Sequence, residues 1–259
     1  MFLYVINEMK KGSFILFLLL TNISLFAQRE QFPTYFGVQV RPIIPSNFGG
    51  SKILEMSGEN YNFKLHQTVG YSFGGTIRKG ITKLIAFESG LNFTQRNFSY
   101  EMSLSDTSVS ASDNTSFINY ELPINGLVYI QLSKSTFMNA SMGVAARFSP
   151  TDIKKITVTG GPHQFVNYGF YSSKIGANLN ANLGFEYRTT SKGFFYFGGS
   201  ICVPIRPIIV FESIHTVLKQ TNNTQLVGNI DGNYLSLDVK YFFPLIRKKG
   251  DQPIKSLID

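Results

Sequence analysis

The sequence predicts an all-β fold, an eight-stranded antiparallel up-and-down transmembrane β-barrel with short periplasmic turns and long extracellular loops. Three observations predict it. Segment after segment alternates apolar and polar residues with a period of two, the signature of strands whose side chains point to opposite faces. The links between these segments run long, short, long, short to the end of the chain. No stretch after residue 27 approaches the ~20 apolar residues of a membrane helix. Yet only 15% of the 259 residues are charged, against about 25% in an average soluble domain.

The first element is an export segment. Met9-Lys10-Lys11, an apolar run from Phe14 to Leu20 and the Phe26-Ala27-Gln28 junction read as a signal peptide over residues 1–27, with Met9 as an alternative start. The competing reading, a membrane anchor, calls for a longer apolar run. No Cys follows the apolar run, which argues against a lipoprotein signal. Loss of Lys10, Lys11 and Glu8 takes the formal charge from +8 to +7. Residues 28–245 then form the barrel and 246–259 a basic periplasmic tail.

The first strand is Thr34–Pro42, with Phe36, Val38 and Val40 against Gln39 and Arg41. A polar link over Ile43–Gln67 leads to Thr68–Arg78, then a short turn at Lys79–Lys83. Leu84–Met102 is the third strand, and Ser103–Thr115, almost wholly Ser, Asp, Thr and Asn, the second long link. Ser116–Leu132, a turn at Ser133–Ser135 and Thr136–Phe148 give strands four and five. A third long link covers Ser149–Tyr171. Ser172–Arg188, a turn at Thr189–Lys192 and Gly193–Pro207 follow, then a last long loop over Ile208–Asn233. Tyr234–Phe243 completes eight: Leu235, Leu237, Val239, Tyr241 and Phe243 oppose Tyr234, Ser236, Asp238, Lys240 and Phe242.

Long strands and alternating links favour a barrel over a sandwich. A soluble calyx, with its apolar face inside, is the fold alternative. In a small membrane barrel side chains fill the interior, and a lysine or arginine on the lipid face costs ~2–4 kcal/mol at the midplane. The charged faces therefore point inward, as a structural lumenal ion network of Arg41, Glu88, Arg96, Glu121, Arg147, Glu186, Arg188, Arg206, Asp238 and Lys240. Arg41, Arg96, Arg147, Arg206, Lys174 and Glu121 fall at the loop end; Glu88, Glu186, Arg188, Asp238, Lys240 and Arg78 fall at the turn end. A hairpin centred near residue 108 or 109 sets Arg96 opposite Glu121. Pro123 and Pro204, lacking ladder donors, read as bulges. Trp is absent, so Phe93, Phe98, Tyr100 and Phe148 are expected at the outer rim and Tyr187, Phe195, Tyr241 and Phe243 at the inner rim. Arg78, Lys79, Lys83, Lys134, Arg188, Lys192 and Arg247–Lys249 give a basic inner rim suited to anionic headgroups.

Several function classes find little support. No basic run with interleaved aromatics suggests nucleic acid. Cys202 is alone, so no intramolecular disulfide forms. His66, His163 and His215 lie in or beside loops without metal-ligand spacing. Ser213 and Glu212 neighbour His215, but no nucleophile-elbow pattern supports catalysis. The expectation is a non-enzyme with no cofactor and no metal. It is a structural or binding barrel whose loops meet an unknown extracellular ligand. The alternatives are a narrow channel, a secretion-accessory barrel and, less favoured, a lipid-modifying hydrolase.

Three stretches carry a resemblance: Phe26-Ala27-Gln28, Asn119-Tyr120-Glu121-Leu122-Pro123-Ile124 and the terminal Leu235–Phe243 strand. With them the chain resembles the outer-membrane β-barrel family of Gram-negative bacteria typified by PorT-like proteins. That resemblance implies an integral outer-membrane barrel with outer-membrane lipid around it, the barrel-assembly machinery as a partner and a possible link to secretion.

Overall fold

The structure, a computed structural model, describes residues 32–48, 50–150, 152–158, 161–189, 191–217 and 223–245. The expected signal peptide and the basic tail lie outside the described residues. In chain order the strands are β1 (Thr34–Pro45), β2 (Ile53–Ser57), β3 (Tyr61–Gly80), β4 (Ile85–Leu104), β5 (Ser110–Gln131), β6 (Thr136–Phe148) and β7 (Ile153–Val158). They continue as β8 (His163–Tyr171), β9 (Ile175–Arg188), β10 (Phe194–Pro204), β11 (Ile209–Val217), β12 (Asn223–Ile230) and β13 (Tyr234–Phe242).

Eight of them close a ring. The order β1-β13-β10-β9-β6-β5-β4-β3 returns to its start because β1 also pairs with β3, and every pairing is antiparallel. The apolar face of each strand turns outward. Val38 and Val40, Ile77, Leu91, Leu122, Ile124, Leu179, Leu183, Phe185, Leu237 and Val239 are all exposed. Their polar neighbours Gln39, Arg78, Glu88, Asn92, Glu121, Asn178, Asn182, Glu186 and Asp238 are buried. Sidedness is therefore that of a membrane barrel and the reverse of a calyx.

Above this belt the pattern inverts. On β4 the inward positions run Glu88, Asn92, Thr94, Arg96 and then Phe98, Tyr100, Met102, Leu104, without a change of face. Outward positions change from Phe87 and Leu91 to Glu101 and Ser103. A 20-residue strand spans roughly 66 Å at ~3.3 Å per residue, while a tilted membrane crossing needs only ~9–11 residues. The upper half thus stands clear of the belt and obeys the rule for water.

The long links expected as loops hold this upper structure. β7 and β8 lie within Ser149–Tyr171, β11 and β12 within Ile208–Asn233, and β2 and the start of β3 within Ile43–Gln67. The order β12-β11-β8-β7 makes a second sheet. It packs on the upper parts of β3, β4 and β5, with β12 against β2 and β7 against β5. Together they enclose an apolar core of Tyr61, Phe63, Phe98, Tyr100, Phe117, Phe165, Phe211 and Ile209 among others. Phe211 sits at its centre, its ring 5.7 Å from Phe117 and 6.1 Å from Phe63. Phe98 and Tyr100 belong to this core and not to an aromatic girdle. Outward Phe93 instead meets Phe73 and Tyr120.

Three local expectations are corrected. The β4–β5 hairpin turns within Ser105–Val109, so Arg96 pairs with Phe117 and Glu121 with Asn92. Pro123 causes no register shift on either side, and Pro204 simply ends β10. The bulge lies instead on β3, between Thr68 and Tyr71. Its extra residue switches the inward set from Tyr61, Phe63 and Leu65 to Ser72, Thr76 and Arg78. One strand thereby serves an apolar interior above and a polar one below.

Candidate functional site

The lumen is the place where chemistry-bearing side chains converge. Near the short-turn end, the tight β3–β4 turn sets Arg78 opposite Glu88. Arg78 Nε donates to Glu88 at 2.8 Å and Nη1 to the Tyr129 hydroxyl at 3.0 Å. Nη1 also reaches Glu186. Glu186 accepts from Asn139 Nδ2 at 2.6 Å and from Arg188 Nη2 at 2.9 Å and Nε at 3.2 Å. Lys240 Nζ donates to the other oxygen of Glu88. Aromatic rings close the floor: Phe194 stacks on Phe242 at 4.4 Å, Arg78 lies 4.3 Å over Phe242, and Arg188 lies 4.1 Å over Phe137. A desolvated cation over such a ring is worth ~2 kcal/mol.

Mid-lumen, Asp238 accepts from Ser236 Oγ at 2.7 Å, from Asn182 Nδ2 at 3.3 Å and from Ser200. With Asp238 included, three cations face three carboxylates in the lower lumen.

The loop end is different. Glu121 accepts from Asn119 Nδ2 at 3.0 Å, Asn178 Nδ2 at 3.1 Å and the Tyr234 hydroxyl at 3.4 Å. Two guanidiniums approach it less closely: Arg96 Nη2 at 3.5 Å and Arg41 Nη2 at 4.0 Å. Arg96 Nη1 donates to the Gly232 carbonyl at 2.7 Å. Gly232 has φ +74°, and a Cβ there would meet Ile208 and Arg96, so the turn depends on glycine. Arg147 Nη1 donates to Asn178 Oδ1 at 3.4 Å.

Nine of the ten expected network residues are buried in this interior. Arg206 is not. β10 ends at Pro204, and a second proline at 207 keeps the chain off the ladder, leaving Arg206 exposed. Arg96 and Glu121 do meet, but diagonally along β5 and not across the ladder. Arg78, outside the ten, is the hub of the lower cluster; the turn between Gly80 and Ile85 sets it against Glu88, whereas a turn centred on the expected Lys79–Lys83 would have set it against Leu84. Arg78 and Arg188 point into the lumen and so leave the expected basic rim.

Between the clusters a void of about 10 Å³ is lined from above by Arg41, Glu121 and Tyr234 and from below by Glu88 and Lys240, among others. That is close to the least space one water requires.

The histidines lie elsewhere. His66 pairs with Ile53 at the edge of the upper structure. His163 and His215 come together on β8 and β11, rings 5.3 Å apart and Nδ1 to Nε2 3.1 Å. Burial, and then the neighbouring His163, hold the His215 pKa below its ordinary value. Burial raises the Tyr61 hydroxyl to about 12. Ser213 is fully buried and bonds to Tyr61 and Asn167, while Glu212 takes the Gln225 amide. Ser213 and Glu212 are sequence neighbours on one strand and face opposite sides. The Ser–His–acid geometry is not assembled. Among the described residues no three His, Cys, Asp or Glu side chains converge as metal ligands.

No family model matches the chain, and no curated protein matches it. Among solved structures it is similar to the outer membrane protein OprG of Pseudomonas aeruginosa, with 10% identity over 84% of this chain and 99% of the other and a TM-score of 0.46. It is also similar to the translocator domain of autotransporter NalP from Neisseria meningitidis, with 10% identity over 92% of this chain and 98% of the other and a TM-score of 0.35. The beta domain of the Bordetella autotransporter BrkA gives 8% identity, 83% and 100% coverage and a TM-score of 0.29.

Proposed function

We propose that the chain is an integral outer-membrane barrel of the PorT-like kind, exported by its signal peptide, which displays the upper β-structure to the extracellular side. It is a binding or structural barrel and neither a channel nor an enzyme. Outer-membrane lipid surrounds the belt, the barrel-assembly machinery inserts it, and an extracellular ligand meets the head.

The observation that carries this reading is the inversion on β4: polar inside and apolar outside below Arg96, apolar inside and polar outside above Phe98. A strand of one wholly aqueous protein has no reason to reverse its faces. A strand leaving hydrocarbon for water must. Short turns at one end and the β-head at the other set the orientation, as in barrels with short periplasmic turns. The packed lumen supports a non-conducting barrel.

Cell fractionation tests the location. The native chain should leave the envelope only with detergent and migrate faster on gels before boiling than after. Extraction by salt or alkali alone would refute it. Planar bilayers test the closed lumen: resolved current steps from the purified chain would replace the binding reading with a channel.

A further inference from the structure

The outer surface of the head has two unlike sides. On the β2–β5 wall, Lys64, Ser99, Glu101, Ser112 and Asn114 point away from the apolar core. On the sheet β12-β11-β8-β7 the outward face is largely apolar. Ile156, Val166 and Ile214 stand side by side across β7, β8 and β11, on the face opposite buried Phe165 and Phe211. Nearer the barrel runs a row of Lys154, Tyr168 and Glu212, and below it Phe170 pairs with Val210. Ile156 is 50% exposed. Height does not explain the contrast. Lys155 Nζ bonds Asp113 at 2.5 Å and the Asn114 carbonyl at 2.8 Å, which sets Ile156 level with Ser112 and Asn114.

Lipid does not account for this face. Exposed Lys174 and Arg206 lie beneath it, at the tops of β9 and β10, where cationic side chains meet head groups. The face stands above the acyl chains, and an apolar patch in water marks a protein contact. Four strands, with nine residues each in β8 and β11, give an area of roughly 550 Å² at ~4.8 Å between strands and ~3.3 Å per residue. A standard interface buries about 800 Å² per partner, but two copies held in one membrane meet at high effective concentration.

The pattern on the face complements itself. Copies inserted the same way in one membrane pair face to face only about a two-fold axis along the membrane normal. With that axis in front of β8, the β7 side of one copy meets the β11 side of the other. Ile156 then faces Ile214, Val166 faces its own counterpart, and Lys154 comes beside Glu212 twice. Within one copy Lys154 lies 5.2 Å over the Tyr168 ring and Glu212 takes the Gln225 amide; neither has an ion-pair partner among the described residues. We propose that the chain forms a two-fold dimer through the outer face of the β7–β12 sheet, with Lys154 of each copy paired to Glu212 of the other. The dimer rests on the membrane reading above, which fixes the direction of the axis.

The test uses the full chain folded into phosphatidylcholine vesicles and a short bis-maleimide. Cys202 is buried, so an added cysteine is the one that reacts. Flotation with the vesicles is scored first: a chain that stays behind refutes the membrane reading, whereas a chain that floats but never cross-links refutes the dimer alone. Val166→Cys, beside the axis, should give a cross-linked pair, and Ser112→Cys, on the polar wall, should not. Should Val166→Cys not fold, Tyr168→Cys takes its place. Equal cross-linking at 166 and 112, or none at 166, would overturn the proposal. Adding Glu212→Lys to Val166→Cys should cut the cross-linked fraction several-fold, since two lysines then face each other twice. Adding Lys154→Glu as well should restore it. A charge-swapped chain that stays monomeric, or a Glu212→Lys chain that pairs as before, would show that the copies do not meet in this register.

Discussion

Leu183→Lys is the sharpest probe of the lipid belt. Leu183 is 57% exposed on the outer face of β9. It pairs with Ala140 on one side and Gly199 on the other, and Gly199 in turn pairs with Leu237, so the position sits at mid-height between the two rims. If hydrocarbon surrounds it, a lysine there costs ~2–4 kcal/mol, which is roughly 30- to 900-fold in the folded-to-unfolded ratio. If water surrounds it, the change falls within about 0.5 kcal/mol, as for ordinary surface substitutions. The control is Ser103→Lys, on the exposed outer face of β4 in the head, where about 0.5 kcal/mol is the ceiling. The assay is urea-dependent folding into lipid vesicles, scored as the gel fraction that migrates in the folded form. A lysine at 183 as harmless as one at 103 would refute the lipid-facing belt, whatever the shape of the sheet.

The other predictions concern the two interiors. Glu186→Gln leaves Arg78 and Arg188 short of one buried carboxylate, so the urea midpoint should fall by the equivalent of ~3–5 kcal/mol; a drop under ~0.5 kcal/mol would mean the lower cluster is solvated. Phe211→Ala opens a cavity in the head core at a cost of ~3–5 kcal/mol. Hydrogen exchange should quicken in β8 and β11 while the barrel keeps its folded gel mobility. For His215 the folded pKa lies below the unfolded one. The neutral form is thus favoured by folding, and its contribution is full above the unfolded pKa and lost as pH falls through the folded value. Exchange in β8 and β11 should rise between pH about 7 and about 5, and His215→Asn should flatten that response.

The elements legible in the sequence are those whose two faces differ throughout their length. β6 was bounded at Thr136 and Phe148, as found, because Ala, Met and Val alternate there with Asn, Ser and Gly between two clear turns. β11 was missed because its inward row, Ile209, Phe211, Ser213 and His215, mixes apolar with polar residues, while Val210 and Ile214 lie on the other face. Period two vanishes when both rows are mixed. The start of β3 was missed for another reason. The bulge at Thr68–Tyr71 breaks the parity, so Tyr61, Phe63 and Leu65 fall out of phase with the strand that follows. Arg96 was set opposite Glu121 because the hairpin tip was centred two residues too late, which shifts every pair on β4 and β5 by four. The ion network itself was legible from the cost of charge in lipid, but not its stoichiometry. Unequal partners in the upper and lower clusters depend on register, which composition does not carry.

The reversal on β4 and the place of Arg96 have one physical cause. A strand passing from hydrocarbon to water must exchange its greasy face for a wet one, and here its inward row changes from Arg96 to Phe98 within two residues. At that height balanced ion pairs from below give way to rows that are mostly apolar inward, Phe98, Tyr100 and Met102 on β4 and Tyr61, Phe63 and Leu65 on β3. Arg96 reaches back from this boundary, bonding Gly232 below the head and Glu121 in the barrel. The junction is then the level at which head and barrel share atoms. Loosening the head through Phe211→Ala should leave the lower ion cluster undisturbed, whereas Glu186→Gln should lower overall stability and leave exchange in β8 and β11 unchanged. Opposite results from these two variants would mean that Arg96 couples the two interiors tightly and that head and barrel do not open separately.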